Sequence, residues 1–600
     1  MRRRRVVISR SLKLSWVEFA TVNLGATAMR TRSATILILL LLVGFWLPSV
    51  HPQTQSPWAD ILMVGGHVYT SDPTQPWVEA VATRGERILD VGSSKELAKY
   101  RGESTHVINL GGRMAMPGMI DTHTHFLWGS YGLAGIQIYD ARDVGQLEKV
   151  LREYAKSHPD DKWIYGAGWH YGSFWPTGLP TKDLLDQVFS DRPVSIMSED
   201  GHSLWVNSRA LAAAKITRDT PNPTGAARGI IVRRNDGEAT GVLEEGAKRL
   251  VLDVMNTTIS QQEKLRRLRL GMTSANQHGI TGVVNATGDI QELELYQALH
   301  NRGELTVRTA TAFADDVGVR HTLSGQELAT FEDARRRFHD DWVRAGIVKF
   351  FADGVIETHS AAMLAPYANT PGDAGHTLYT EDEFKRDFLE LDRRGFQVMT
   401  HAIGDRAVRT VLNAYQAVDE QNGRRDRRWR IEHMETVDIA DRPRLAHLGV
   451  LAAIQPWCCP QKGDPWADNV GPERLSEGIP WQDLISPGAT LIMGSDWPVE
   501  SLDPFPILQM GLTRKSTFQR TNEPFFPKQR LSLDQMLAGY TRNAAFGEFM
   551  EERLGTLHPG KLADIIVLSQ DLYKIPPEHI ASTKVILTIV GGKIVWRSGI

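Results

Sequence analysis

Cysteine is almost missing from this 600-residue chain: there are two, and they are adjacent, Cys458 and Cys459. Adjacency excludes a disulfide framework and a Cys-x-x-Cys metal site, so the pair reads as small apolar core or loop residues. Excess charge of either sign is also lacking. The formal net charge is -3, and no basic stripe interleaved with aromatic residues occurs in the globular part, which argues against nucleic acid or another polyanion as partner. No G-x-S-x-G stretch exists, which removes serine-hydrolase chemistry of the nucleophile-elbow type. The nearest approach to a dinucleotide fingerprint, Gly166-Ala167-Gly168-Trp169-His170-Tyr171-Gly172, has the wrong spacing for G-x-G-x-x-G.

What is present begins with an unusual amino terminus. Arg2 to Arg5, Arg10, Lys13, Arg30 and Arg32 precede an apolar run over 34–47. A basic flank and a run of this length read as a secretory signal, since a full membrane span needs roughly 20 apolar residues. Export to the periplasm or beyond is expected, with Met29 as an alternative start. No clear small-x-small cleavage site follows in 48–56, so an uncleaved anchor stays open. Over the whole chain the hydrophobic (42%) and charged (23%) fractions are globular, and the length exceeds one ordinary domain, implying a large catalytic domain with an accessory one.

Short apolar runs with glycine punctuation at 61–64, 67–70, 80–83, 87–91 and 107–110 predict strands of a small sheet domain that is incomplete. The same style returns at 565–568, 585–590 and 593–596, so a domain composed from both termini would leave the middle as one inserted unit. There, helices and strands alternate. Ser260 with Glu263 opens a helix that closes near Gly279, and a strand follows at 280–284. Thr380 with Glu383 opens another that ends at Gly395, before a strand at 396–400. Asp405 reads as the next helix cap and Gly423 as its stop, with a strand at 429–432 after it. Strands at 450–454 and 489–493 continue the series. Such repetition over more than 300 residues predicts a (β/α)₈ TIM-type barrel, whose functional residues gather at the carboxyl ends of its strands. Residues 129–255 break the rhythm and carry Trp169, Trp175 and Trp205, which marks an inserted lobe beside the barrel mouth. Aromatic richness of this kind more often means core packing than a cleft wall.

The polar residues at the predicted strand ends are His123 and His125, Lys349, His401, His433 and Asp496. In His123-Thr124-His125 the imidazoles are two apart on a strand and face the same way, so both can reach one cation. Gathered at one barrel mouth, four histidines, a lysine and a carboxylate would make a divalent-metal site, with imidazole suiting Zn²⁺.

These residues sit in blocks that resemble the amidohydrolase superfamily, amidohydrolase family 3 branch. The blocks are Pro117 to His125, Asp200-Gly201-His202-Ser203-Leu204-Trp205-Val206-Asn207-Ser208, Lys349 with Asp353-Gly354, His401 to Ala407, Glu432-His433, Gly494-Ser495-Asp496-Trp497-Pro498-Val499, and Gly555 to Asp564. The resemblance implies that His123, His125 and Asp496 hold one metal and His401 and His433 a second. It also implies that Lys349 occupies the position of a carboxylated lysine bridging the two. Asp496 would carry the proton, and His202 would stand in the substrate cleft as a hydrogen-bond partner of the developing oxyanion. Two departures affect the pocket: Asn285-Ala286 where many relatives place a carboxylate, and Trp457-Cys458-Cys459 after Gln455-Pro456, where a histidine is common.

The expected organisation is a leader (1–54), a β-sandwich first part (55–117), a metal-dependent barrel (118–554) with its lobe, and a sandwich second part (555–600). The expected activity is hydrolysis of a non-peptide C–N bond in an amide or N-acyl compound, using one or two divalent ions. Alternatives are a mononuclear deaminase of a heterocycle and a catalytically silent exported binding protein. The expected partner is a small-molecule substrate, with membrane contact only through an uncleaved leader and oligomerisation left open.

Overall fold

The computed structural model describes residues 57–599, apart from 175–177, 200, 225–227, 315–322, 457–464 and 516–522. The leader, Cys458 and Cys459, Trp175 and Asp200 lie outside the described residues. Among the described residues no helix is long and apolar enough to cross a membrane.

Eight parallel strands form the central sheet: β1 (Met119–Thr124), β2 (Ile280–Gly288), β3 (Arg308–Phe313), β4 (Val343–Phe351), β5 (Gln397–Ala402), β6 (Arg430–His433), β7 (Leu451–Ile454) and β8 (Leu491–Met493), paired in that order. Small and medium apolar side chains, Val284, Ala286, Ala310, Ala312, Ile347 and Met399, fill one interior cluster, as a barrel of this size requires. β8 returns to β1 through individual bonds rather than a ladder. Thr122 Oγ1 donates to the Met493 carbonyl (2.8 Å), and just beyond β8 the Asp496 N–H donates to His123 O (2.8 Å) and the His125 N–H to Trp497 O (2.7 Å). The expected TIM-type barrel is therefore present.

The helices that matter here are α1 (Phe126–Leu133), α2 (Arg249–Thr258), α3 (Gln261–Gln277), α4 (Ile290–Asn301), α5 (Glu381–Arg393) and α6 (Asp405–Asn422). Ser260 caps α3 by accepting from the Glu263 N–H, and α5 opens with the reciprocal Thr380 and Glu383 capping box. The cap of α6 differs from expectation: Gly404 occupies it. The Asp405 carboxylate is drawn instead to the Leu364 N–H (2.7 Å) and the Arg406 N–H (2.9 Å), tying a neighbouring loop to the helix start. β2 runs to Gly288, past the expected end at 284.

Two further sheets come from the ends of the chain. One has the order Arg87–Gly92, Ala80–Arg84, Ile61–Val64, His106–Asn109; the other Lys593–Arg597, Val585–Val590, Ile565–Leu568, Met114–Pro117, His67–Tyr69, Trp77–Val78. Val68, Val81, Ile108, Val567 and Leu587 share one buried cluster, so both ends of the chain build this sandwich core. A six-stranded mixed sheet spans Ile136–Gln137 to Ala239–Glu245. Its indoles Trp169 and Trp205 are enclosed within that lobe's own core.

Candidate metal centre

β1 ends at Thr124, between two imidazoles that face the barrel axis at its carboxyl rim. His123 Nε2 lies 3.4 Å and His125 Nε2 3.1 Å from Asp496 Oδ1. These three side chains, all buried, form the one histidine and carboxylate cluster of metal-ligating dimensions among the described residues. Each imidazole is oriented from behind: His123 Nδ1 meets Glu432 Oε2 at 2.7 Å and His125 Nδ1 meets Thr287 Oγ1 at 2.6 Å. Nδ1 serving as donor leaves the Nε2 lone pair directed at the centre, the usual support of a metal-bound histidine. Asp496 Oδ1 is buried and makes no well-formed hydrogen bond. Lone pairs and a carboxylate converging in this way repel one another, and a divalent cation is what satisfies them. The donor set therefore fits a metal ion.

The remaining predicted residues surround this triad. Lys349 on β4 is buried, with Nζ 3.5 Å from His123 Nε2 and 4.8 Å from the centre of the Phe351 ring. The His401 ring at the end of β5 lies 4.5 Å from that of His433, which lies 5.0 Å from His123. His401 directs Nε2 to the Gly354 carbonyl at 3.1 Å. His401 and His433 thus adjoin the triad without belonging to its compact set of ligand atoms. His202 stands apart from it, its Nδ1 2.9 and 3.1 Å from the two Glu245 carboxylate oxygens.

Burial depresses the ionisation of this cluster's cationic forms. It holds His123, His401 and His433 well below the usual imidazole value, with the Lys349 charge adding to the effect, so all three are neutral at pH 7. Lys349 is lowered to about 8, chiefly by desolvation. For Asp496 burial works the other way, and its carboxyl falls below the ordinary range only through positive charge beside it, that of His123 and His125 in their cationic forms and of Lys349. Backbone strain collects at the same rim: His433, Met434 and Asp496 have φ of 71°, 48° and 62°.

Several supporting residues carry no role in the sequence reading. Arg430, buried on β6, donates to Glu432 Oε1 (2.5 Å) and to the Thr122 carbonyl (2.7 Å). Gln455 joins this network, donating to Glu432 Oε2 at 3.3 Å and accepting from the His433 N–H at 3.0 Å. Asp121 accepts from the Ser495 N–H at 3.0 Å and the His123 N–H at 3.2 Å, pinning β8 to β1. Asp353 collects the N–H groups of Ala362, Ile403 and Gly404, and burial pushes its carboxyl up to about 7. A usable signal was two charged residues at alternate positions, Arg430 and Glu432, on either side of Ile431 in a short strand. Thr287 had none. Asn285, one of the two departures, accepts from the Phe126 N–H at 2.7 Å and so anchors the first turn of α1 behind His125.

A TIM-type barrel with a His-His-Asp cluster at its carboxyl rim defines a candidate metal-dependent enzyme. Residues 106–596 match the Amidohydrolase family, and the chain belongs to it. The Arabidopsis thaliana protein LONG AFTER FAR-RED 3 is 31% identical over 546 residues, covering 89% of this chain and 91% of that one. An N-substituted formamide deformylase of Arthrobacter pascens is 24% identical over 543 residues, covering 89% and 97%. The solved structure of an uncharacterized metal-dependent hydrolase from Pyrococcus horikoshii OT3 has the same fold, with a TM-score of 0.70 at 21% identity over 87% of this chain and 99% of that one.

Proposed function

We propose that the protein hydrolyses a non-peptide C–N bond, in an amide or N-acyl compound, at the centre formed by His123, His125 and Asp496. The observation that carries this reading is the convergence of two lone-pair imidazole nitrogens on a buried carboxylate oxygen that has no hydrogen bond of its own. The deformylase relative, named for an N-substituted formamide, supports the same bond class. The donor set of imidazole and carboxylate suits Zn²⁺. A divalent ion bound there supplies Lewis acidity and brings the pKa of water toward neutrality. Asp496 accepts the proton of the attacking water and returns it to the departing nitrogen. Glu432 and Thr287 hold the two imidazoles in the ligating tautomer. His202, fixed by Glu245, faces the substrate's oxygen from the lobe side.

Lys349 belongs to the same reading. A buried amine lowered to about 8 is partly neutral at physiological pH and reacts with CO₂ to give a carbamate anion, releasing one proton to solvent, and a second ion held by His401 and His433 would stabilise that anion. Incubation with ¹³C-bicarbonate followed by ¹³C NMR detects that carbamate, and a Lys349→Arg variant provides the blank.

The decisive assay gives the metal-loaded protein a panel of amides, N-formyl amines and amino-heterocycles. Release of a carboxylate and a substituted amine is expected. Ammonia from the heterocycles alone would assign a deaminase instead, and no turnover on any class would leave the binding-protein reading. Asp496→Asn is expected to lower turnover by about 10²–10⁴-fold while the fold and melting temperature are retained. Full activity in that variant removes Asp496 as proton carrier. The same proposal has this chemistry outside the cytoplasm, a reading supported by the basic and apolar leader and checked by fractionation and amino-terminal sequencing of the mature protein.

A further inference from the structure

A cavity of about 250 Å³ lies beside the metal centre, where the carboxyl ends of β1 and β2 meet the inserted lobe. It shares a wall with the centre. Thr287, which holds His125 Nδ1, lines it, and so does Trp128, whose ring lies 5.5 Å from the His125 imidazole. Gly201, next to His202, lines it as well; a Cβ there would meet the edge of the Trp128 indole at 2.6 Å. The indole, seated on bare glycine backbone, thus stands at the border shared by this cavity and the barrel mouth.

The lining is chiefly apolar and aromatic. Leu127, Trp128 and Tyr131 come from α1, Tyr165 from the lobe, and Leu252 and Met255 from α2, and the six form one hydrophobic cluster. Asn256 and Gln291 line the far side and are exposed, so the cavity reaches solvent there. Of its charged residues, the two carboxylates have partners within the protein, and Lys264 brings one ammonium group to the lining. Asp289 is used in capping α4, where it accepts from the Glu292 N–H at 2.8 Å. Glu292 is buried against the Tyr296 hydroxyl, and burial pushes its carboxyl up to about 8, so it is neutral at pH 7. Lys264 is half-buried on α3.

From this arrangement we propose that the cavity is a recognition subsite for a neutral, apolar, ring-sized substituent of the substrate, with Trp128 as the surface on which the ring packs. An apolar cavity of about 150 Å³ holds benzene, so about 250 Å³ accommodates one substituted ring or a fused pair. Aromatic walls favour stacked or edge contacts with such a ring, and Met255 adapts to its outline. The catalytic meaning of the subsite rests on the hydrolase reading, whereas its capacity to bind does not.

Indole serves as the probe. Calorimetric titration of the full chain in its metal-loaded form is expected to show one saturable site per chain. Leu252→Trp, which fills the cavity, is expected to weaken indole at least tenfold with metal content unchanged. Leu252→Phe carries the comparison if the larger side chain disturbs folding. Independently of any variant, photolabelling of the wild-type protein with 5-azidoindole is expected to mark peptides within 127–131 or 252–256. Label elsewhere, unsaturable binding, or affinity indifferent to both Leu252 variants overturns the proposal. The two readings fail separately. Indole binding kept in Asp496→Asn and blocked in Leu252→Trp, with no turnover on any amide, sustains the subsite and refutes the hydrolase. Turnover with no ring preference and no indole site does the reverse.

Discussion

Glu432 illustrates how much of this centre is carried by residues that would never touch a metal. Its carboxylate is fully buried and divided between His123 Nδ1 and the Arg430 guanidinium. Glu432→Gln keeps the shape, removes the charge, and leaves Arg430 without its closest counter-ion. Metal affinity is expected to fall about 10–100-fold and stability by about 3–5 kcal/mol, read by metal titration and denaturant melts. Unchanged affinity would show that His123 is oriented by β1 alone. Glu292 gives a second prediction at this scale, through linkage. Its carboxyl is raised from 4.5 to about 8, mainly by desolvation, so the folded protein binds a proton that the unfolded chain has already lost between those values. A raised folded value contributes stability that is full below about 4.5 and lost as pH rises through about 8. Glu292→Gln is expected to flatten that window, at about 1.4 kcal/mol for each pH unit removed. Parallel pH profiles of unfolding free energy for the variant and the parent would refute the assignment.

At the scale of elements, the seam between β1 and β8 decides whether the ligands meet. His123 and His125 follow from one strand, but Asp496 arrives only because the chain beyond β8 is bonded to their backbone. Gly494 permits this approach: a Cβ there would lie 2.5 Å from the His123 backbone nitrogen. Gly494→Ala is expected to part the seam and reduce bound metal at least tenfold. Gly303 is the control, with φ of 69° and open space around its missing Cβ. Gly303→Ala is expected to cost about 1 kcal/mol through left-handed strain and to leave metal content intact. If Gly494→Ala binds metal normally, the seam is not what positions Asp496. The same contrast explains what was legible in the sequence. The strands ending in His401 and His433 stood out because helix caps and glycine stops framed apolar runs. β3, Arg-Thr-Ala-Thr-Ala-Phe, escaped notice because its small interior residues look like neither a buried strand nor an amphipathic one. Met114–Pro117 escaped because its apolar run continues into β1 with Gly118 as the only break, although it pairs with both ends of the chain. The candidate ligands' positions at strand ends were legible in the sequence. Their supports, Thr287 and Glu432 above all, depend on contacts between distant segments, which periodicity does not encode.

At the scale of the whole molecule, barrel and sandwich are joined by Asp564, the residue at which the chain leaves the barrel for its terminal strands. Its carboxylate takes both Nε (2.7 Å) and Nη2 (2.9 Å) of Arg308 on β3, and it also accepts from the Gly591 N–H at 2.8 Å. Its carbonyl accepts from the Gly118 N–H at 2.9 Å, at the entry to β1. One residue therefore ties both crossings between the domains to the barrel's underside, and Arg308, buried and stacked 4.3 Å over Trp342, has no solvent to fall back on. Removing one member of a buried pair costs about 3–5 kcal/mol, because the partner's charge is stranded. Asp564→Ala is expected to lose about that much. It should do so in a single calorimetric transition, because a sandwich sharing both crossings cannot unfold while the barrel remains. The metal centre lies at the opposite end of the strands, so below the transition the variant should hold as much metal as the parent. Two separate transitions, or metal lost before unfolding begins, would show that the composite sandwich and the barrel are independent units.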